Sequence, residues 1–290
     1  MKLCQVAAAD APSDADLVGQ VAGWSEAQTL EALDELLDHQ LIREAPGRSG
    51  FDYTFTHHLI QATAYEMVPD DSRTRRHRRV ARVMEQVAAT PGDEFAGTLA
   101  LHWDRGGEPA RAAESYLRAA HHARAVYADM EALAQIQRAL ELVDAPRLRA
   151  DLLGLRETIY AWRGERAAQH VYLLALREIA ESTGDADLIC DSLRREIHYE
   201  RALGNRQAEA KRIESLCLRA AQAGLARWQA EALREQATYR VSIGEYESAG
   251  PIVERALQAY EALGDAAGLV QCLCLRGAGG LSYTPSPFAI

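Results

Sequence analysis

Two neighbouring histidines, His57 and His58, stand where the strand-like run "FDYTF" gives way to the helix-like "HLIQATAYEMV". An imidazole can shuttle a proton, ligate a metal or touch an anion near neutral pH, but each task needs partners. The chain offers few. His198-Tyr199-Glu200 supplies the H-x-E of zinc deaminases without the P-C-x-x-C that completes the site. His102 and the pair His121-His122 lie in alanine-rich stretches with no acidic residue at ligand spacing, which reads as packing. Cys4, Cys190, Cys217, Cys272 and Cys274 are odd in number and form no C-x-x-C, so neither a disulfide framework nor a zinc ribbon is expected. No H-E-x-x-H, G-x-S-x-G or G-x-G-x-x-G occurs, and Glu31 with Glu35 is ordinary helix-surface spacing. A phosphate loop needs G-x-x-x-x-G-K-[ST]. The only lysines are Lys2 and Lys211, and neither follows a glycine. The expectation is a chain that is not an enzyme and has no cofactor or metal of its own.

Positive charge is concentrated in "RTRRHRRVAR", where Arg73, Arg75, Arg76, Arg78, Arg79 and Arg82 are expected mostly in the first turns of a helix, opposing its macrodipole. Plain solvation, or something anionic, can compensate. Asp70, Asp71, Glu85 or the glutamates of the C-terminal half could serve, as could a docked domain, while nucleic acid is disfavoured by a net charge of −10.

Few Phe and many Ala, Leu, Arg and Glu favour helix over sheet. In the C-terminal half Gly164, Gly204 and Gly244 are 40 residues apart, and Gly184, Gly224 and Gly264 repeat the interval midway. Between them the apolar pattern is helical, with Leu173, Ile213 and Val253 in equivalent places. Each unit from about residue 145 therefore reads as helix, glycine turn, helix, glycine turn. Such hairpins bury their apolar stripes only by stacking, as in solenoids. "IGEYESAGPIVERALQAY" resembles the tetratricopeptide (TPR) pattern, with Gly244 in the turn and small Ala249 and Ala256 at a close helix contact. Tyr160, Arg163, Tyr199, Arg201, Tyr239 and Arg240, on the first helix of each hairpin, are candidates to line a groove for a protein or peptide. Tyr199 and Tyr239 also share the column of Ile159 and so double as core candidates.

Toward the N-terminus, "SEAQTLEALDELLDHQ" (residues 25–40) reads as a helix capped by Ser25 and Gln28, with Leu30, Leu33, Leu36 and Leu37 on one face. A shorter helix precedes it, and a hairpin with Phe51, Tyr53 and Phe55 on one face follows. That order is the layout of a winged helix. The overall expectation is an all-α chain: a TPR-like α-solenoid of helical hairpins with a small winged-helix-like module carrying one β-hairpin. Its parts are residues 1–68, the winged-helix-like module; 69–93, a connecting arginine-rich helix; 94–280, the repeats; and 281–290, an irregular tail.

"VAGWSEAQTLEALDELLDHQLIRE", then "YTFTHHLIQATAYEMVPDDSRTRRHRRVARVME", then a helical array resembles the middle and end of bacterial STAND-type ATPase regulators. These are P-loop signalling proteins often fused to LuxR-type DNA-binding or nucleotide-cyclase domains. The resemblance implies a winged helix that closes a nucleotide-binding module and repeats that sense or hold a partner. It implies that His57 stands where such proteins carry a histidine touching the bound nucleotide's phosphate, while His58 replaces the acidic residue that often follows. With the phosphate loop missing, ATP or ADP would enter only if an ATPase core is supplied by another chain or domain, and the chain reads as the back half of a larger regulator. The implied function is a non-catalytic scaffold that binds a protein or peptide, or a P-loop ATPase domain. The alternative is a DNA-binding transcriptional regulator acting through the winged module or the arginine helix. Against it, the helix at 26–39 carries Glu26, Glu31, Asp34, Glu35 and Asp38 and no Lys or Arg. No apolar run approaches the roughly 20 residues of a membrane span, and the expected location is the cytoplasm.

Overall fold

The computed structural model describes residues 15–47, 50–87 and 95–278. Cys4, the tail at 281–290 and the side chains of Phe51 and Val87 lie outside the described residues. Among the described residues there are fourteen helices and one two-stranded sheet. The fold class is all-α with TPR-like helical hairpins. The chain divides into two compact units, Met1–Leu155 and Arg156–Ile290.

The first unit starts with α1 (Ala15–Ala22) and α2 (Glu26–Asp38). Ser25 caps α2 reciprocally: its hydroxyl accepts from the Gln28 backbone N–H at 3.4 Å, and Gln28 Oε1 accepts from the Ser25 N–H at 3.0 Å. Two antiparallel strands follow, β1 (Ile42–Gly47) and β2 (Gly50–Phe55), with Ile42 opposite Phe55. Val18, Leu33, Leu36 and Ile42 form a small core against which Trp24, Tyr53 and Phe55 pack. Leu30 departs from the expected apolar face: it is 43% exposed, and Thr29 takes the inward place at 2%. Thr29 can do so because its hydroxyl donates to the Ser25 carbonyl at 3.0 Å, so its one polar atom is not stranded.

After α3 (His58–Glu66), α4 (Asp70–Val87) begins one turn earlier than the sequence suggests. Asp70 and Asp71 thus occupy its first turn, where negative charge suits the macrodipole, and the arginines start beyond them. Arg73 still falls in the first turn and Arg75 and Arg76 in the second, but the two aspartates now precede them. Val80 and Val83 pack with Val21 of α1. The unit continues through α5 (Ala96–Arg105), α6 (Pro109–Ala125) and α7 (Asp129–Leu142) into the start of α8 (Pro146–Arg163). Pro109 sits at the helix start, where a missing N–H costs nothing.

In the second unit, α9 (Arg166–Thr183), α10 (Ala186–Leu203), α11 (Arg206–Ala223), α12 (Ala226–Ser242), α13 (Tyr246–Leu263) and α14 (Ala266–Ala278) follow α8. The six glycines of the comb fall in the links, all left-handed with φ between 65° and 81°. At five links the N–H after the glycine bonds back to a carbonyl of the preceding helix, as in Glu165 N–H to Tyr160 O at 3.0 Å and Asp265 N–H to Tyr260 O at 3.0 Å. That is the Schellman closure, which satisfies helix-end carbonyls. Leu173, Ile213 and Val253 are buried throughout, as their equivalence requires. Cys190, Ile197, Ile213, Leu216, Ala220, Trp228 and Ala232 form one core cluster, with Tyr239 packed on its edge.

Candidate functional site

The first helices of the second unit's hairpins carry carboxylates on their inward faces. Glu157 on α8, Glu196 on α10 and Glu235 on α12 are each at most 5% exposed, and Glu209 on α11 is wholly buried. Desolvating a carboxylate is costly unless it is paired, and each one here is. Arg201 reaches Glu209 and Glu235, both at 2.6 Å, clamping α10 to α11 and α12. His198 Nε2 lies 2.9 Å from Glu235, and Arg234 completes its shell. Arg195 joins Glu157 at 2.8 Å to Asp191 at 2.7 Å. Glu196 accepts from Arg177 Nε at 2.6 Å, while Arg212 Nε lies 2.8 Å from its other oxygen. The Glu231 carboxylate accepts from Arg234 at 2.6 Å and from the Tyr260 hydroxyl of α13 at 2.7 Å.

Burial alone would raise the Glu235 carboxyl, but His198, Arg234 and Arg201 outweigh it and hold the acid well below the usual range. Burial would likewise lower Arg195, and Asp191 with Glu157 raises it instead. These groups stay charged at neutral pH. Chemically the column is a set of ion pairs in which each buried carboxylate lies beside at least one guanidinium.

The sequence reading missed these acids. A signal exists in the comb: "RAAQ" at 166–169 and "RQAE" at 206–209 are 40 residues apart. In each, the arginine bonds the residue three places on, Arg166 to Gln169 at 2.6 Å and Arg206 to Glu209 at 2.8 Å. Gln169 then donates to Glu157 at 2.6 Å.

The groove candidates divide. Tyr160 stacks on Tyr172 with ring centroids 5.4 Å apart, and Tyr199 stacks on His170 at 5.4 Å. All four are at least half-buried except His170, which is exposed. Arg201 belongs to the ionic column. Arg163 pairs with Glu165 at 2.6 Å, and Arg240 pairs with Glu245. Tyr239 is half-buried against the core.

In the first unit the arginine helix is largely engaged. Arg73 pairs with Asp70 and lies over the Tyr65 ring at 5.0 Å. Arg75 donates to Ser72 at 3.1 Å. Arg78 donates to the Gly106 carbonyl at 2.8 and 3.0 Å and pairs with Glu108 at 3.0 Å. Arg79 donates to the Gln20 carbonyl at 3.2 Å. Arg76 is half-buried, and burial lowers its guanidinium; Arg82 is exposed. Glu85 accepts from Trp103 Nε1 at 3.0 Å and faces Arg111, so it does not serve the cluster. His57 is exposed at the N-cap of α3 and makes no side-chain capping bond.

Among the described residues no group of three or more metal-binding side chains forms, and no helix is long and apolar enough to cross a membrane. The buried histidine His102, 2% exposed, is a packing residue with a specific neighbour. Its Nδ1 lies 3.0 Å from Nδ1 of His77, whose Nε2 lies 2.9 Å from the Tyr65 hydroxyl.

Stacked helical hairpins with left-handed glycine links define a TPR-like helical-repeat protein. No protein-family model matches the sequence, and no curated protein does. The fold is similar to that of a Signal Transduction ATPase with Numerous Domains (STAND) protein with a tetratricopeptide repeat sensor from Pyrococcus horikoshii. The TM-score is 0.51 and the sequence identity 12%, over 97% of this chain. The chain spans about half of that protein, 53% of its length.

Proposed function

We propose that this chain is the non-catalytic sensing part of a STAND-type signalling regulator, acting in the cytoplasm. In this reading residues 1–68 are a winged-helix-like module, and the repeats hold a protein or peptide partner. The observation that carries it is the fold likeness over nearly the whole chain to a STAND protein with a repeat sensor. The helix, helix, hairpin, helix order that precedes the repeats adds support. ATP or ADP binds only when a P-loop ATPase core, on another chain or domain, is present, with exposed His57 available to the phosphate. A DNA-binding role is not favoured: α2 is acidic, and Arg73, Arg78 and Arg79 are turned to protein acceptors.

The test is retrieval of the tagged chain from its own host at native expression, followed by mass spectrometry and nucleic-acid analysis. A polypeptide bearing a glycine-lysine phosphate loop, retrieved with the native chain, is the expected result. Retrieval of duplex DNA without such a polypeptide would overturn the reading.

A further inference from the structure

The cleft between α1 and α2 has no part in the ionic column of the second unit. It is a cavity of about 230 Å³, with Asp16 on one wall, Glu26 and Leu30 on the other and Trp24 between them. That is below the roughly 300–1,000 Å³ of a small-molecule cleft and suits one long side chain. The indole is held, because Trp24 packs on the core of Val18, Leu33 and Leu36. Leu30, turned out of that core, lends apolar surface at 43% exposure.

The charges say what that side chain is. Asp16 and Glu26 are exposed and form no ion pair among the described residues. Glu26, Leu30, Asp34 and Asp38 follow one another four residues apart, which on a helix is a single stripe leading away from the cavity. Glu31 and Glu35 flank it. The macrodipole accounts for acids in the first turns of α1 and α2, where Asp16 and Glu26 lie. It works against Glu35 and Asp38 in the last turn of α2, which has no basic residue. This row repels itself and opposes the dipole, and a cationic partner would relieve both. An apolar guest would strip water from Asp16 and Glu26 without pairing them, and a nucleic-acid backbone would be repelled.

We propose that the α1–α2 cleft is a docking site for a basic segment of a protein partner. One arginine or lysine of that segment enters over the Trp24 indole between Asp16 and Glu26, and its neighbours run along the acidic stripe. A guanidinium satisfies every wall at once: it stacks on the indole, its donors meet the two carboxylates, and its methylene stem covers Leu30. This surface belongs to the first unit and does not depend on what the repeats bind.

The experiment uses the ¹⁵N-labelled full chain, with the Trp24 indole resonance assigned through Trp24→Phe. It is titrated with a capped peptide of alternating arginine and glycine, with the same peptide carrying neutral citrulline for arginine, and with spermidine. The expected result is a saturable shift of the Trp24 indole with the arginine peptide alone. That shift weakens as salt rises, and by about tenfold in Asp16→Asn/Glu26→Gln at unchanged melting temperature. A Trp24 resonance that stays still, responds equally to citrulline or spermidine, or shifts undiminished in the double variant overturns the proposal.

Discussion

His102 shows how one side chain couples this fold to pH. Its burial, then His77 and then Arg105 push its imidazole down to about 3, so the folded protein keeps it neutral where an unfolded chain would protonate it. The unfolded state therefore binds the extra proton between about pH 6.5 and pH 3, and stability is lost as pH falls through that window. Urea unfolding from pH 7 to pH 4 should show a loss on the order of 3 kcal/mol from this group, and His102→Asn should flatten that part of the slope. Glu235 tests the ionic column. Removing a wholly buried carboxylate leaves Arg201, Arg234 and His198 facing one another, so Glu235→Ala should cost about 3–5 kcal/mol. Glu245→Ala, which breaks the solvent-facing pair with Arg240 and a 3.3 Å bond from the Ser248 hydroxyl, should cost less than about 1 kcal/mol by the same measurement.

At the level of elements, two glycines separate conformation from packing. Gly224 ends α11 at φ 65° with open space where a Cβ would stand, so Gly224→Ala should cost only the left-handed penalty of about 1–2 kcal/mol. Gly268, inside α14, has an ordinary backbone, but a methyl there would overlap the Tyr260 ring. That ring is 2% exposed and its hydroxyl is tied to Glu231, so it cannot swing aside. Gly268→Ala should therefore destabilise by about 1–3 kcal/mol through overpacking and should loosen α14 first, as hydrogen exchange along that helix would report.

Over the whole chain the balance of charges and motifs makes its own prediction. With no phosphate-loop sequence and a net charge of −10, calorimetric titration of the chain alone should give no heat with ATP or ADP. A mobility-shift assay with duplex DNA at physiological salt should show no complex, because the acidic α2 repels phosphates and several arginines of α4 already have acceptors. Strong binding in either assay would contradict the proposed function.

The sequence by itself determined the helical class, the hairpin period and the position of the links. Left-handed helix ends select glycine through sterics local to one residue, and a local rule repeated at a fixed interval is legible without coordinates. The same holds for the Ser25 cap, which spans three residues. Only the tertiary structure decided where charge is buried. Glu157, Glu209 and Glu235 read as surface acids on helices, and their partners Arg195, Arg201 and His198 lie up to 38 residues away in sequence. It also decided that α4 begins at the aspartates and that three of its arginines are spent on Gly106, Gln20 and Asp70. Ion pairing depends on which helices stack face to face, and that distance is set by packing of the whole unit, which no window of the chain contains.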